Sequence, residues 1–423
     1  MNRWRSAGAA VVVFTLGGSA SALSAQSSWG ITPMAQAIGV NDYSNPIPGG
    51  GGLSEFHVVQ PVLMAVGHGF GDKLAFVATL DLEGWTMPGG ELTPGAWGEG
   101  YVDRRHPHTY VHELNFSVND ILGRLDGAGK LSITAGKGFV PFGSDDPMSR
   151  PFVRYPVNHH LSQILERAVG IAQYDIGPVT VEGSLFDGDE PTSPCDWPLL
   201  RYQGKWRFGD SYSGRVMIRP VHGLEVQGSA AHVSSPENRP GGGPDADKVS
   251  VSGRWDDMTR SGERYALVEY ARTSELAGTF IYHTFLGEGM ITRGRVRLSY
   301  RFERTERPEE LRLFDPFRTQ RPSPDNSILG ISRWTLNTVH LAYDVVSPRH
   351  KLEIEPFVEG TLGKVAAVGG GIFDPVAVYG SDNVRALNIG VMVGWGMRGH
   401  RMGRYGALAN EMNAMPGMSG MQM

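Results

Sequence analysis

The chain has 423 residues, 57 of them Gly, a formal net charge of -5 and a single cysteine, Cys195. This length admits one large barrel or about two to three ordinary domains. A mildly acidic balance excludes a globally basic nucleic-acid-binding face, and one cysteine excludes an internal disulfide framework. The glycine content fits strands and turns better than helices. Cys195 lies between Pro191 and Pro198 with no His or basic cluster beside it, so it reads as an unreactive loop residue.

Arg3 and Arg5 precede a short apolar stretch, Ala9 to Leu16, and small residues at Ala20, Ser21, Ala22 and Ala25. This is the pattern of a secretory signal over residues 1–25. The stretch falls short of the roughly 20 apolar residues that a membrane helix needs. No later segment supplies them, so an exported protein without a transmembrane helix is expected. Residues 26–53, with the run Pro46-Ile-Pro-Gly-Gly-Gly-Gly52, read as a flexible N-terminal segment.

From Phe56 onward the hydrophobic period is close to two. Residues 73–84, 109–119, 201–208, 213–219, 294–304, 351–362 and 384–397 each alternate apolar and polar side chains. The clearest ribbon sets Val296, Leu298, Tyr300 and Phe302 against Arg295, Arg297, Ser299 and Arg301. A strand sends these two sets to opposite faces. Tyr and Trp fall near the ends of the apolar stripes, where interfacial girdles lie. Tight turns alternate with long loops over 88–108, 139–163, 187–199, 234–247, 306–332 and 363–383. The expected fold is all-β: a transmembrane outer-membrane antiparallel β-barrel over residues 54–398, of about 14 to 16 strands with 16 favoured, apolar outside and wet inside. The competing fold is a soluble two-layer sandwich. Residues 201–208 and 213–219 are joined by a tight turn and break the short/long rhythm. Either one of them belongs to an extracellular hairpin, or an N-terminal strand goes unread.

Gly136-Lys-Gly-Phe-Val-Pro-Phe-Gly143 follows one strand and opens a long loop. It is similar to the G-[RK]-x-x-x-P-F-G signature of the phosphate-selective porin O/P family of bacterial outer membranes. The resemblance runs from Gly136 to the region of Tyr174. It implies a 16-stranded barrel, commonly a homotrimer, with loops folded inward to narrow a channel and anion-binding Arg and Lys on its walls. The chain departs from outer-membrane practice in continuing past its last strand, which would place the assembly signal internally, near Trp395.

Three constellations could carry function. Arg201, Lys205, Arg207, Arg215, Arg219, Arg295, Arg297 and Arg301 form an expected basic lumen set. Guanidinium groups in a narrow aqueous bore concentrate anions. The alternative is that they pair with lumen carboxylates such as Glu353, Glu355 and Glu359 and stiffen the wall. The second is the loop after Phe139, with Asp145, Asp146, Arg150, Arg154, His159 and His160, whose mixed charge suits a constriction. Solvated extracellular charge is the alternative, and adjacent histidines on an extended chain point apart, against a metal site there.

The third is the tail, residues 399–423, expected on the periplasmic side, where Met412, Met415, Met418 and Met421 offer soft ligands to Cu(I) or Ag(I). His400 and Met402 lie nearby, and a low-complexity end without ligand is the alternative. No nucleophile elbow, HExxH or phosphate loop occurs, so no enzyme is expected. His106, His108 and His112 cluster near a strand start, with His112 on the expected lipid-side parity. The composite expectation is a passive outer-membrane porin for small hydrophilic solutes or anions, in contact with lipid and without nucleic acid. A copper-handling protein or a structural, adhesive barrel are the alternatives, and Cu(I) at the tail is the one cofactor considered.

Overall fold

Period-two alternation becomes a closed sixteen-stranded antiparallel barrel in the computed structural model. It describes residues 30–47, 49–87, 108–122, 129–157, 159–191, 194–198, 200–202, 204–236, 243–259, 262–310, 328–346, 351–397 and 400–406. The expected signal segment, residues 1–25, and the methionines from Met412 onward lie outside them.

The elements run β1 (Gly30–Asn45), β2 (Leu53–Gly69), β3 (Leu74–Asp81), α1 (Glu83–Thr86), β4 (Val111–Val118), β5 (Lys130–Gly138), β6 (Arg167–Ile176), β7 (Val179–Phe186), β8 (Arg201–Tyr202) and β9 (Lys205–Trp206). They continue with β10 (Ser211–Val221), β11 (Leu224–Val233), β12 (Ala246–Thr259), β13 (Gly262–Glu275), β14 (Phe280–Arg293), β15 (Val296–Glu310), β16 (Ile328–Tyr343), β17 (Leu352–Gly369), α2 (Pro375–Tyr379) and β18 (Asn383–Trp395). Each barrel strand pairs with its neighbour in the chain, β7 pairs with β10, and β1 closes the ring on β18. The β8–β9 hairpin stands apart as its own two-stranded sheet.

One sequence expectation is corrected here, and one open alternative is decided. Residues 26–53 are not a flexible segment throughout, because 30–45 form the closing strand. β1 escaped a periodicity reading because its polarity is inverted. Met34, Ile38 and Val40 face inward and are buried, whereas Asn41 is exposed outside. The inward apolar residues are needed because Ile38 and Val40 pack with Val153, which belongs to a loop inside the barrel. Of the two readings of residues 201–208, the hairpin holds, and the unread N-terminal strand is β1. The alternation of 201–208 belongs to the short hairpin within the 187–210 loop, which restores the alternation of connections.

Elsewhere the faces match expectation. Leu298, Tyr300, Leu341, Val358, Ile389 and Val391 are exposed on the outside. Trp255, Tyr343 and Trp395 lie toward the end with the short turns, and Tyr43 and Tyr212 toward the loop end, as two girdles flanking the apolar band. One parity is reversed. A bulge in the β3–β4 pairing, where Thr79 faces Glu113 but Leu80 faces Val111, adds His112 to the strand, so His112 and Glu113 are both buried inside. His112 is therefore not lipid-facing.

The 139–166 loop does not leave the barrel. Its anchor is the motif singled out in the sequence. Phe139 and Phe142 are buried in the main apolar cluster, beside Val62, Met64 and Val169 of the wall. Gly143 turns the chain at φ +67°, and a Cβ there would strike the carbonyl of Ser162 on the returning arm. An L residue at this φ carries strain of about 1–3 kcal/mol even without the collision. Gly143→Ala should therefore displace the loop while leaving the ring of strands intact. The expected signature is new protease cleavage within 139–166 in folded, detergent-solubilised protein; an uncleaved loop would count against this role.

Candidate functional site: the occupied lumen

The inward loop crosses the bore from β5 and β6 to the opposite wall, where carboxylates hold its backbone. Glu359 on β17 accepts from the amides of Val153 and Arg154, both at 3.0 Å, and Glu303 on β15 accepts from Val157 at 3.0 Å. Hydrogen bonds to ionised acceptors are roughly twice as strong as neutral ones. Arg301 on β15 donates to the carbonyl of Arg154 at 2.6 Å and to Glu288 at 2.7 Å, and its guanidinium lies 4.0 Å from the centre of the Phe152 ring. On the near side Ser229 Oγ accepts from Gly143 N at 2.9 Å, and Arg215 donates to the Gly143 carbonyl at 3.2 Å.

The walls themselves are zipped by polar partners in register. Arg215 faces Glu182 across β10–β7 at 2.6 Å, Arg301 faces Glu288 across β15–β14, and His340 faces Glu359 across β16–β17 at 3.1 Å. Arg297 reaches Glu355 two strands away at 2.8 Å. Directly opposed charges contribute roughly 0.2–1 kcal/mol each relative to Ala pairs.

The sequence-derived residues thus divide. Arg215, Arg301, Glu353, Glu355 and Glu359 are buried on the inward face, and Arg297 is partly buried there. Arg219 lies at the turn-side rim, donating to Thr180 at 3.0 Å. Arg295 is exposed in the β14–β15 turn, not in the lumen, because β15 begins only at Val296, later than the strand pattern implied. Arg201 and Lys205 are exposed on the β8–β9 hairpin. Arg207 is buried in the same loop, bound to Asp189 at 2.8 Å and Asp210 at 2.7 Å. Among the loop residues, Asp145, Asp146, Arg150, Arg154 and His159 are buried inside the barrel, and His160 partly so. Asp146 caps a short turn by accepting from Met148 N at 2.7 Å. Arg150 approaches Glu269 at 3.6 Å and Glu288 at 3.8 Å. His159 and His160 do not point apart: a 3-10 turn over His159–Ser162 brings their ring centres to 4.3 Å.

The feature that sequence reasoning missed is the segment after β18. Residues 400–406 lie inside the barrel. Arg401 binds Asp145 at 2.7 Å and Glu225 at 2.8 Å, and Arg404 binds the same two acids at 3.1 and 3.3 Å. Arg254 on β12 also binds Asp145 and holds Asp256 at 2.6 Å. Tyr405 donates to Glu113 at 2.6 Å and accepts from Phe139 N at 3.0 Å. Met397 and Met402 are buried in the same apolar cluster as Phe139 and Phe142, so Met402 is a packing residue. The sequence signal was three arginines spaced by three, Arg398, Arg401 and Arg404, in an otherwise Gly- and Met-rich stretch.

Asp145 is the hub. Burial alone would raise its pKa, but Arg401, Arg254 and Arg404 reverse the sign and hold it well below the usual carboxylate range. A depressed carboxylate stabilises the folded state above the unfolded pKa and loses that contribution as pH falls through the folded value. The contact between loop and tail should therefore persist on acidification to about pH 4, near the reference carboxylate pKa, and give way only in stronger acid. Tail-specific proteolysis across an acid series checks this. Release while the pH is still near neutral would contradict it.

A closed sixteen-stranded barrel, apolar outside, charged inside and crossed by an inward loop, is a porin-type architecture. Solved structures with the same fold include an anion-selective porin from Comamonas acidovorans, at 9% identity, with 87% of this chain and 100% of that chain covered and a TM-score of 0.52. In-vitro folded OmpT of Vibrio cholerae in its trimer form follows at 10% identity, 87% and 100% coverage and a TM-score of 0.48. OprB of Pseudomonas putida at high pH matches at 10% identity, 86% and 94% coverage and a TM-score of 0.48. No protein-family model matches the chain, and no curated protein sequence does. At such identities the likeness concerns the fold, and the resemblance to the phosphate-selective porins rests on the Gly136–Gly143 motif.

Proposed function

We propose that this protein is an exported barrel of a bacterial outer membrane that lets small hydrophilic solutes diffuse passively through its lumen. The observation that carries the reading is the separation of faces: exposed Leu, Val, Ile and aromatic residues outside, ionised pairs and a tethered loop inside. Lipid satisfies the first face, and the charged groups of the second suit a path for water and solute between the packed parts. The work is done by bore width and wall charge, without covalent chemistry. A homotrimer is the assembly this reading favours.

On charge selectivity the pairing of the walls weighs against the arginine-lined anion path that the sequence first implied. Arg215, Arg297 and Arg301 each hold a carboxylate within 2.8 Å. Bi-ionic measurements in a salt gradient should therefore give a reversal potential close to zero. Strong anion selectivity would restore the arginine path and the finer resemblance to phosphate-selective porins. Swelling of liposomes containing the protein tests transport itself: small sugars should enter and large ones should not. Equal exclusion of every sugar would reject passive diffusion. The Cu(I) reading rests on Met412, Met415, Met418 and Met421, outside the described residues, and stays a proposal for the tail alone.

A further inference from the structure

Two imidazoles and three carboxylates meet inside the wall where β3 and β4 reach the loop end. Asp81 ends β3, and Glu83 begins α1, folded back so that its amide donates to Asp81 at 2.8 Å. Glu83 also accepts from Gln60 N at 2.8 Å. His108 Nδ1 lies 3.0 Å from Asp81 and 3.1 Å from Glu83. His112, brought inside by the bulge, has Nδ1 2.6 Å from Glu166 at the end of the inward loop. Glu166 is further fixed by Thr109 N at 2.8 Å. The two imidazole centres are 4.8 Å apart, and one ligand atom from each of Asp81, His108 and His112 lies within 4.8 Å of the others. Asp81, Glu83 and His112 are 0% exposed.

One atom sets this cluster apart from ordinary paired charge. His112 Nε2 is buried and has no hydrogen-bond partner among the described residues. If His112 were an imidazolium, that nitrogen would carry a proton with no acceptor. As a neutral ring donating from Nδ1 to Glu166, it presents a lone pair. A carboxylate on the far ring nitrogen is the arrangement that orients metal-binding histidines. The His108 contacts of 3.0 and 3.1 Å are near the spacing of about 3.3 Å that ligands keep around a tetrahedral ion bound at about 2.0–2.1 Å. Imidazole and carboxylate donors without thiolate suit Zn²⁺, Cu²⁺, Ni²⁺ or Fe²⁺ better than the hard cations Mg²⁺ and Ca²⁺.

We propose that Asp81, His108 and His112 form a divalent transition-metal site in the barrel wall, with Glu83 as a fourth ligand and Glu166 as the positioning residue of His112. Bound there through His112 Nε2, the ion ties the wall to the chain entering β4 and, through Glu166, to the end of the inward loop. The site draws on residues far in sequence from the Met-rich tail and is independent of whether the lumen conducts.

The test uses the full chain, folded in detergent, stripped with a chelator and titrated with Co²⁺ under an absorbance readout, with Zn²⁺ competition. One saturable Co²⁺ per chain with ligand-field bands displaced by Zn²⁺ is expected. His112→Ala should abolish the bands, and Glu166→Gln should weaken binding about 10–100-fold. His57→Ala, which disrupts the separate Asp42, Glu55 and His57 group, should leave them unchanged. Heat-modifiable gel mobility reports folding of each variant. Should His112→Ala fail to fold, Asp81→Asn and Glu166→Gln decide the matter. Absence of saturable Co²⁺ binding, or binding that Asp81→Asn and Glu166→Gln leave intact, overturns the proposal, as does loss of binding in His57→Ala.

Discussion

Truncating the chain after Gly396 should raise single-channel conductance severalfold without unfolding the barrel. The strands close through β1 and β18, which the cut spares. What leaves is the segment carrying Arg401, Arg404 and Tyr405, which lies inside the barrel and bonds to Asp145, Glu225 and Glu113. Asp145→Asn tests the same contact without cutting. It leaves Arg254, Arg401 and Arg404, all buried, without the anion they share. Removing one partner of a buried ion pair costs about 3–5 kcal/mol, mostly from the charge left behind. That is enough to undock a short segment, so the variant should flicker between the conductance of the full chain and that of the truncated one. Identical conductance in the full, truncated and Asp145→Asn chains would show that the segment does not obstruct the path.

Arg301→Ala should loosen the inward loop at its far anchor. The side chain is 1% exposed and makes three contacts at once: with Glu288, with the carbonyl of Arg154 and with the face of Phe152. Its loss strands Glu288, which then keeps Tyr265 Oη at 2.6 Å and the more distant Arg150 at 3.8 Å. A cost of about 3–5 kcal/mol follows from the same desolvation argument. Because Glu359 and Glu303 still hold the loop backbone, the expected outcome is a noisy channel with a lowered thermal midpoint. A spectrum of current noise matching the parent would contradict the tether. Glu288→Gln combined with Arg301→Ala should recover part of the lost stability, since the stranded charge is then gone.

The fold was legible because lipid and water impose opposite demands on successive residues. Wherever both faces obey them, as in 296–303 or 387–395, alternation reads directly. It failed where the inside is dry. β1 hid because Ile38 and Val40 point inward against Val153. The β8–β9 hairpin misled because a two-residue ribbon alternates as well as a long one. His112 misled because a bulge adds one residue and flips every parity before it. The arginines of β10 and β15 were found, but their carboxylate partners Glu182 and Glu288 lie one strand away and about 13 to 33 positions off in sequence, a spacing set by register and turn length rather than by local pattern. The Asp145 hub was beyond reach for the same reason: its partners come from β12 and from residues 401 and 404, joined only once the ring closes.

Planar-bilayer recording of the full chain probes the main assertion most directly. Insertion should produce discrete current steps that scale with salt concentration and grow when residues beyond Gly396 are absent. A full chain and a truncated chain that both bind lipid yet never exceed the leak of the bare bilayer would contradict a solute path through this barrel.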